Sequence, residues 1–332
     1  MRLRAGFLLV TLAAAVLGLP IEPPASRADL DPAPGSILAP VGRQAGWLNL
    51  DAPRPRMLTN LPAPAYVSDL DALPTVAALA VQEPLDGGAD LGGDILRLDL
   101  ASGGLSSLVE RASAAETLSA PVWRSDGTAV VFQREDLTGT PVAYPGQATV
   151  RYPSRVEIVR GDGSGRSVVI DDARQPAPSA DGGRLAFVRS VGGLSQLLVH
   201  SMASGDEREL VPAGQFPDIA YPRFSPRGDQ VAFMAAAPFV GRDDWPPFAP
   251  EVAYAHGLPW DLWLVGLDGS PPRLLARLGG DDASLAWSPD GTQIFSYSGT
   301  GSAIVDPASG GVGSYPYLAG YGGTAWLPLE AP

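Results

Sequence analysis

Apolar residues in this chain come in short runs that are cut off every few positions by Gly, Pro, Asp and Ser. Thr128 to Phe132 is one such run, Asp94-Ile95-Leu96-Arg97-Leu98-Asp99 a second, Asp261-Leu262-Trp263-Leu264-Val265 a third and Thr292 to Tyr297 a fourth. The first and fourth are rich in β-branched and aromatic residues, and all four are too short for helices, so they read as strands. Ile95, Leu96, Leu98 and Leu100 leave neither face of their strand polar. A strand of that kind is covered on both sides.

The runs recur in a fixed frame. Its sharpest copy is Leu285-Ala286-Trp287-Ser288-Pro289-Asp290-Gly291-Thr292-Gln293-Ile294-Phe295. Pro121 to Phe132, Pro222 to Phe233 and, more weakly, Pro176 to Phe187 repeat it. An aromatic residue ends one strand, as Trp123, Phe224 and Trp287 do. A Ser-Pro-Asp-Gly group then turns the chain: Pro presets φ, Asp bonds nearby backbone and Gly accepts positive φ. A third strand ends in another Asp/Gly turn, and a fourth short strand, such as Arg273-Leu274-Leu275 or Glu209-Leu210-Val211, closes the unit. Repetition at this spacing with four strands per unit predicts a β-propeller.

Counting units predicts blade 1 over Ala63 to Arg111, blade 2 over Leu118 to Ile170 and blade 3 over Arg174 to Val211. Blade 4 is expected over Pro217 to Ala276 and blade 5 over Ala283 to Tyr315. Gly323-Thr324-Ala325-Trp326-Leu327-Pro328 is a first strand with no successors, while Ser36 to Val41, Gly46 to Asp51 and Arg56 to Thr59 lack a first strand. Together they make a sixth blade that closes the ring and leaves no free edge. The fold class expected is all-β: a six-bladed propeller of four-stranded blades, closed by pairing N-terminal strands with the C-terminal strand. Blades 1 and 6 are degenerate, which keeps five or seven blades as alternatives.

The first residues stand outside this pattern. Arg2 and Arg4, the apolar run Ala5 to Leu19 and the small residues of Ser26-Arg27-Ala28 have the layout of a secretory signal peptide. The organisation expected is a signal peptide over 1–28 with cleavage after Ala28, a short linker over 29–34 and one propeller over 35–330. An uncleaved N-terminal anchor is the alternative; both place the body outside the cytoplasm, periplasmic or at the cell surface. No later segment is long and apolar enough to span a bilayer, so membrane insertion after cleavage is not expected.

Composition narrows the chemistry. The 332 residues include 39 Gly and 34 Pro, 45% are hydrophobic and the net charge is −13. So acidic a chain is a poor binder of phosphate backbones, and nucleic acid is not an expected partner. With no Cys, disulfides, thiolate metal sites and lipid attachment to an N-terminal cysteine are excluded.

The phrase carried by Trp287, Ser288, Pro289, Asp290, Gly291, Ile294 and Phe295 resembles the repeat of the TolB-like propeller family, the WD40-like repeat of exported bacterial proteins. Trp123, Ser125, Asp126, Gly127 and Phe132 match it in part, as do Phe224, Ser225, Pro226, Gly228, Val231 and Phe233. The resemblance implies a propeller outside the cytoplasm that acts by binding protein partners. TolB carries an additional N-terminal α/β domain for which this sequence shows no counterpart, so the Tol–Pal role is not carried over.

Because the phrase is structural, function is sought between its copies. Gln82 to Gly93, Gln133 to Ser154 and Ala236 to Pro259 are long links between second and third strands and are expected on one rim. The last offers Arg242, Asp243, Asp244, Trp245, Phe248, Glu251, Tyr254 and His256, aromatics beside Arg as at protein or glycan contacts; folding of those aromatics back onto the ring is the alternative. The second offers Arg134, Tyr144, Arg151 and Tyr152, its charges expected in solvent. No cofactor is expected. Calcium at Asp243-Asp244 or Asp281-Asp282 is weakly indicated, and Asp69 and Asp71 are placed in a tight turn. His200 falls within a strand, and His256 has no nucleophile beside it. The sequence reads as a monomeric binding protein for a protein, peptide or cell-envelope glycan. A glycan lyase or hydrolase or a peptidase-like enzyme using rim carboxylates, and a structural cell-surface protein, are the alternatives.

Overall fold

The computed structural model describes residues 32, 34–50, 52–84, 91–143, 150–236 and 258–328. The signal-peptide reading lies outside these residues.

Every described element is a strand. The N-terminal strands β1 (Ser36–Val41), β2 (Gln44–Asn49) and β3 (Ala52–Met57) come first. Blade 1 is β4 (Tyr66–Leu73), β5 (Val76–Pro84), β6 (Leu91–Asp99) and β7 (Leu105–Val109). Blade 2 begins with β8 (Glu116–Trp123) and β9 (Ala129–Asp136), is interrupted by the small hairpin β10 (Val142–Ala143) and β11 (Val150–Arg151), and ends with β12 (Ser154–Arg160) and β13 (Ser167–Asp171). Blade 3 is β14 (Arg174–Pro178), β15 (Arg184–Val191), β16 (Leu194–Ser201) and β17 (Glu207–Val211). Blade 4 is β18 (Ile219–Phe224), β19 (Gln230–Ala236), β20 (Trp260–Gly266) and β21 (Arg273–Gly280), whose outer strand runs four residues past the expected end. Blade 5 is β22 (Ser284–Trp287), β23 (Ile294–Ser298), β24 (Gly301–Val305) and β25 (Val312–Tyr315).

The last strand, β26 (Ala325–Leu327), pairs antiparallel with β1 through Ser36–Leu327, Ile37–Trp326 and Leu38–Ala325. The closing sheet has the order β26-β1-β2-β3, so the protein is the expected ring of six four-stranded antiparallel blades. Its core is six apolar seams rather than one centre. Leu118, Trp123, Val130 and Phe132 of blade 2 pack on Val76, Ala78 and Ile95 of blade 1. Phe224, Val231 and Phe233 pack on Val188, Leu197 and Val199 of blade 3. Trp287 packs against the blade 4 residues Leu262, Leu264 and Leu275. Phe295 and Trp326 meet edge to face, ring centroids 6.5 Å apart, across the closing seam.

The repeated Asp-Gly does turn chemistry, as expected. Asp126 accepts hydrogen bonds from Thr128 N (3.0 Å) and Oγ1 (2.7 Å), and Asp290 from Thr292 N (3.0 Å) and Oγ1 (2.8 Å). Gly127 and Gly291 follow at φ 70° and 72°.

Candidate functional site: the insertion-bearing rim

Each inner strand of blades 1 to 4 carries a register shift against its neighbour, between Val67 and Asp69, Ser119 and Val122, Arg174 and Ala177, and Ala220 and Arg223. In blades 2, 3 and 4 the bulge is one residue in the left-handed region followed by proline: Ala120 (φ 47°), Gln175 (φ 54°) and Tyr221 (φ 48°). Side chains of the preceding blade cap the backbone that these bulges free. Gln133 Oε1 accepts Gln175 N (3.1 Å), and Gln175 Oε1 accepts Tyr221 N (3.1 Å). The x-Pro dipeptide two residues ahead of the last strand position in three successive copies, Ala120-Pro121, Gln175-Pro176 and Tyr221-Pro222, was the sequence signal for this arrangement.

The bulges bring charged side chains together toward the ring axis. Asp69 and Asp71 lie on β4, not in a tight turn, because Ala80 and Ala78 of β5 pair with them and extend the ladder. Asp69 Oδ1 accepts Leu70 N (2.9 Å) and Gly323 N (2.5 Å). Asp71 Oδ2 accepts Trp123 N of blade 2 (2.8 Å). Burial pushes Asp69 up to about 7 against the pull of the Arg223 guanidinium and the two N–H donors. Burial also raises Asp71, opposed by Arg223 and the Trp123 N–H.

A second buried carboxylate behaves in the opposite way. Asp218, just ahead of β18, is wholly buried. Its Oδ1 accepts Arg174 Nη2 (2.5 Å), Ser195 Oγ (2.7 Å) and Ile219 N (2.8 Å), and its Oδ2 accepts Arg151 Nη2 (2.9 Å). Burial favours protonation, but the Arg174 and Arg151 guanidiniums more than offset it and leave Asp218 at about 2. Arg151 belongs to the blade 2 hairpin, so this ion pair pins that insertion across blade 3 onto the edge of blade 4.

Under the pinned insertion lies a cleft of about 390 Å³. Val142, Arg151, Tyr152 and Pro153 of the insertion form one wall, the link residues Asp172 to Arg174 the floor, and Val188, Ser190, Gly192 and Gly193 of blade 3 the other wall. The cleft is lined by the described ends of the β9–β12 link, by the link between blades 2 and 3 and by the β15–β16 turn, so it opens on the rim that carries those links. On the opposite rim, between the turns of blades 4 and 5, a larger opening of about 570 Å³ is bordered by Asp290 and Asp306. Those carboxylates are held by their own turns, through Ser288 and Thr292 and through Ala308 and Ser309.

Of the residues singled out in the sequence, the cleft contains Arg151 and Tyr152. Arg134 is elsewhere: it faces the blade 1 seam and pairs with Glu116, within a cluster that includes Arg155, Arg166 and Glu157. The expectation of solvated charge is therefore corrected for Arg134 and Arg151, whose side chains are 21% and 27% exposed and ion-paired. Tyr144, Arg242, Asp243, Asp244, Trp245, Phe248, Glu251, Tyr254 and His256 lie outside the described residues. Asp281 Oδ2 accepts the Tyr321 hydroxyl (2.7 Å), and among the described residues no three His, Asp or Glu side chains are grouped to hold a metal ion. His200 is on β16 as expected. Asp218, Arg174 and Ser195 were missed, since nothing in their local sequence distinguishes them from turn and strand residues.

No protein-family model and no curated protein matches the chain. Solved structures do. TolB from Acinetobacter baumannii superimposes with a TM-score of 0.63 at 15% identity over 89% of this chain and 67% of that one. A chain of the nidogen/laminin complex gives 0.61 at 12% identity over 88% and 97%. A structure assigned as a TolB from Agrobacterium tumefaciens gives 0.57 at 15% identity over 85% and 88%. At these identities the likeness is one of fold: the chain is a six-bladed β-propeller whose structural neighbours are TolB proteins and other propellers.

Proposed function

We propose that this chain is an exported binding protein whose insertion-bearing rim holds a protein, peptide or cell-envelope glycan, and that it acts without catalysis. The observation that carries the reading is the cleft under the blade 2 insertion. That insertion is held across two blades by a buried ion pair, and an ordinary turn needs no such anchor. Export is supported by the N-terminal Arg2, Arg4 and Ala5 to Leu19 layout and by TolB structures among the fold's neighbours. Among the described residues no helix is long and apolar enough to cross a membrane.

Immobilised protein tests the reading. Wild type is expected to retain a component of a cell-envelope extract that the Ser190→Trp variant, whose indole would fill the cleft, does not. Identical retention by folded wild type and Ser190→Trp protein overturns it.

A further inference from the structure

We propose that the face of blade 2 that meets blade 1 holds a single tetrahedral oxyanion, a phosphate or sulfate group, on the guanidiniums of Arg134, Arg155 and Arg166. With Glu116 and Glu157 these side chains line a concavity of about 360 Å³, separate from the cleft between blades 2 and 3. The two carboxylates lie underneath. Their side chains are 5% and 2% exposed, against 21%, 37% and 29% for Arg134, Arg155 and Arg166. All of their oxygens are engaged. Glu116 Oε1 accepts Ala112 N (2.5 Å) and its Oε2 accepts Arg134 Nε. Glu157 Oε1 accepts Arg155 Nε (2.6 Å) and its Oε2 accepts Arg166 Nε (2.5 Å).

The guanidiniums are held in place without being saturated. Among the described residues Arg134 and Arg155 donate through Nε alone, which leaves the Nη edge of each planar fork for a second acceptor. Arg166 is fixed further: its Nη1 donates to Glu110 O (3.2 Å), and its guanidinium carbon lies 5.6 Å from the centre of the Phe132 ring. Arg134 and Arg155 stand directly opposite each other on β9 and β12. Like charges so placed repel, and an anion shared between them turns that repulsion into attraction. The lining carries three guanidiniums to two carboxylates. Asp136 and Asp171 are the cross-strand neighbours of Glu116 and Arg155, but neither lines the concavity, and Asp136 is turned onto Thr138 N (3.0 Å) and Oγ1 (2.7 Å). Forks from three residues suit a group with three oxygens to offer, where a carboxylate has two. The net charge of −13 opposes a polyanion, whereas one group in contact is governed by the guanidiniums it touches.

Equilibrium dialysis of the full chain against labelled inorganic phosphate tests this, at about pH 7.5 where phosphate carries close to two charges, with sulfate, glycerol phosphate and acetate as competitors. Phosphate is expected to be retained at one site and displaced by sulfate. Acetate should compete roughly tenfold more weakly, since it offers one acceptor fewer to charged donors. Arg155→Gln should weaken phosphate binding roughly tenfold or more; Glu157 keeps Arg166 in that variant, and circular dichroism checks its fold. Arg134→Gln should act alike where it folds. Arg189→Gln, which removes an arginine paired with Glu207 on blade 3, should bind as wild type does. Displacement by glycerol phosphate as well as sulfate supports a monoester with its ester oxygen outward, and displacement by the inorganic ions alone supports a free ion. No retained phosphate, acetate competing as well as sulfate, or unchanged affinity in folded Arg155→Gln protein overturns the proposal.

Discussion

Asp69 and Asp218 are both buried carboxylates near the ring axis, yet their ionisation is moved in opposite directions. Asp218 is surrounded by donors and two guanidiniums and sits at about 2. Its folded value is below the unfolded one, so its stabilisation is present above about pH 4 and is lost as pH falls toward 2. Asp69 is dominated by burial and sits at about 7. Its folded value is above the unfolded one, so its protonated form adds stability below about pH 4 that is lost as pH rises through 7. Asp69→Asn keeps an acceptor for Gly323 N and removes the titration. Urea unfolding should show that variant gaining up to about 4 kcal/mol on wild type between pH 4 and pH 8, with a flatter pH profile. Asp218→Asn takes from Arg174, 4% exposed, the carboxylate it is bound to, and should cost about 3–5 kcal/mol at pH 7 by the same measurement. All 23 basic side chains of the chain are arginines. A guanidinium stays charged when buried and can bond several acceptors, which suits the Arg174–Asp218–Arg151 cluster.

At the scale of the element, the repeated phrase is a packing and turning device whose copies are not equivalent. Trp123 is 5% exposed between blades 1 and 2. Trp287 is only partly buried against blade 4, and its Nε1 donates to Arg223 O (3.2 Å). Trp123→Ala should therefore cost about 3–5 kcal/mol and Trp287→Ala nearer 2–3, compared by thermal unfolding. Strands, turns and the ring-closing joint were legible because each rests on local rules: apolar runs, Asp-Gly turns and an orphan first strand at Trp326. Asp69 and Asp71 were misplaced because alternating carboxylates beside Ser68 look like a turn, and only the β5 alanines opposite show them to be a strand. Arg134 and Arg151 were read as solvated because their partners, Glu116 and Asp218, are 18 and 67 residues away. A pairing at that separation leaves no mark in the local pattern.

For the whole molecule, the seam between the closing blade and its neighbours decides whether six blades make a ring. Gly322 and Gly323 thread between blades there. Ser284 Oγ donates to Gly322 O (2.7 Å), and Gly323 N donates to Asp69. A Cβ at Gly323 would run into Asp69 Oδ1 and lie 2.8 Å from Leu70 O. Gly323→Ala should cost about 1–3 kcal/mol through overpacking, with amide exchange of β26 and β1 accelerating more than that of blade 3. The joint itself is three residue pairs long, and the chain leaves it on both sides at the same end, beside Ser36 and Leu327. Tension applied to the two ends would peel these pairs in sequence rather than shear them together. The force needed is that of a single pair, so under load this ring would part at its joint while every blade behind it is still folded.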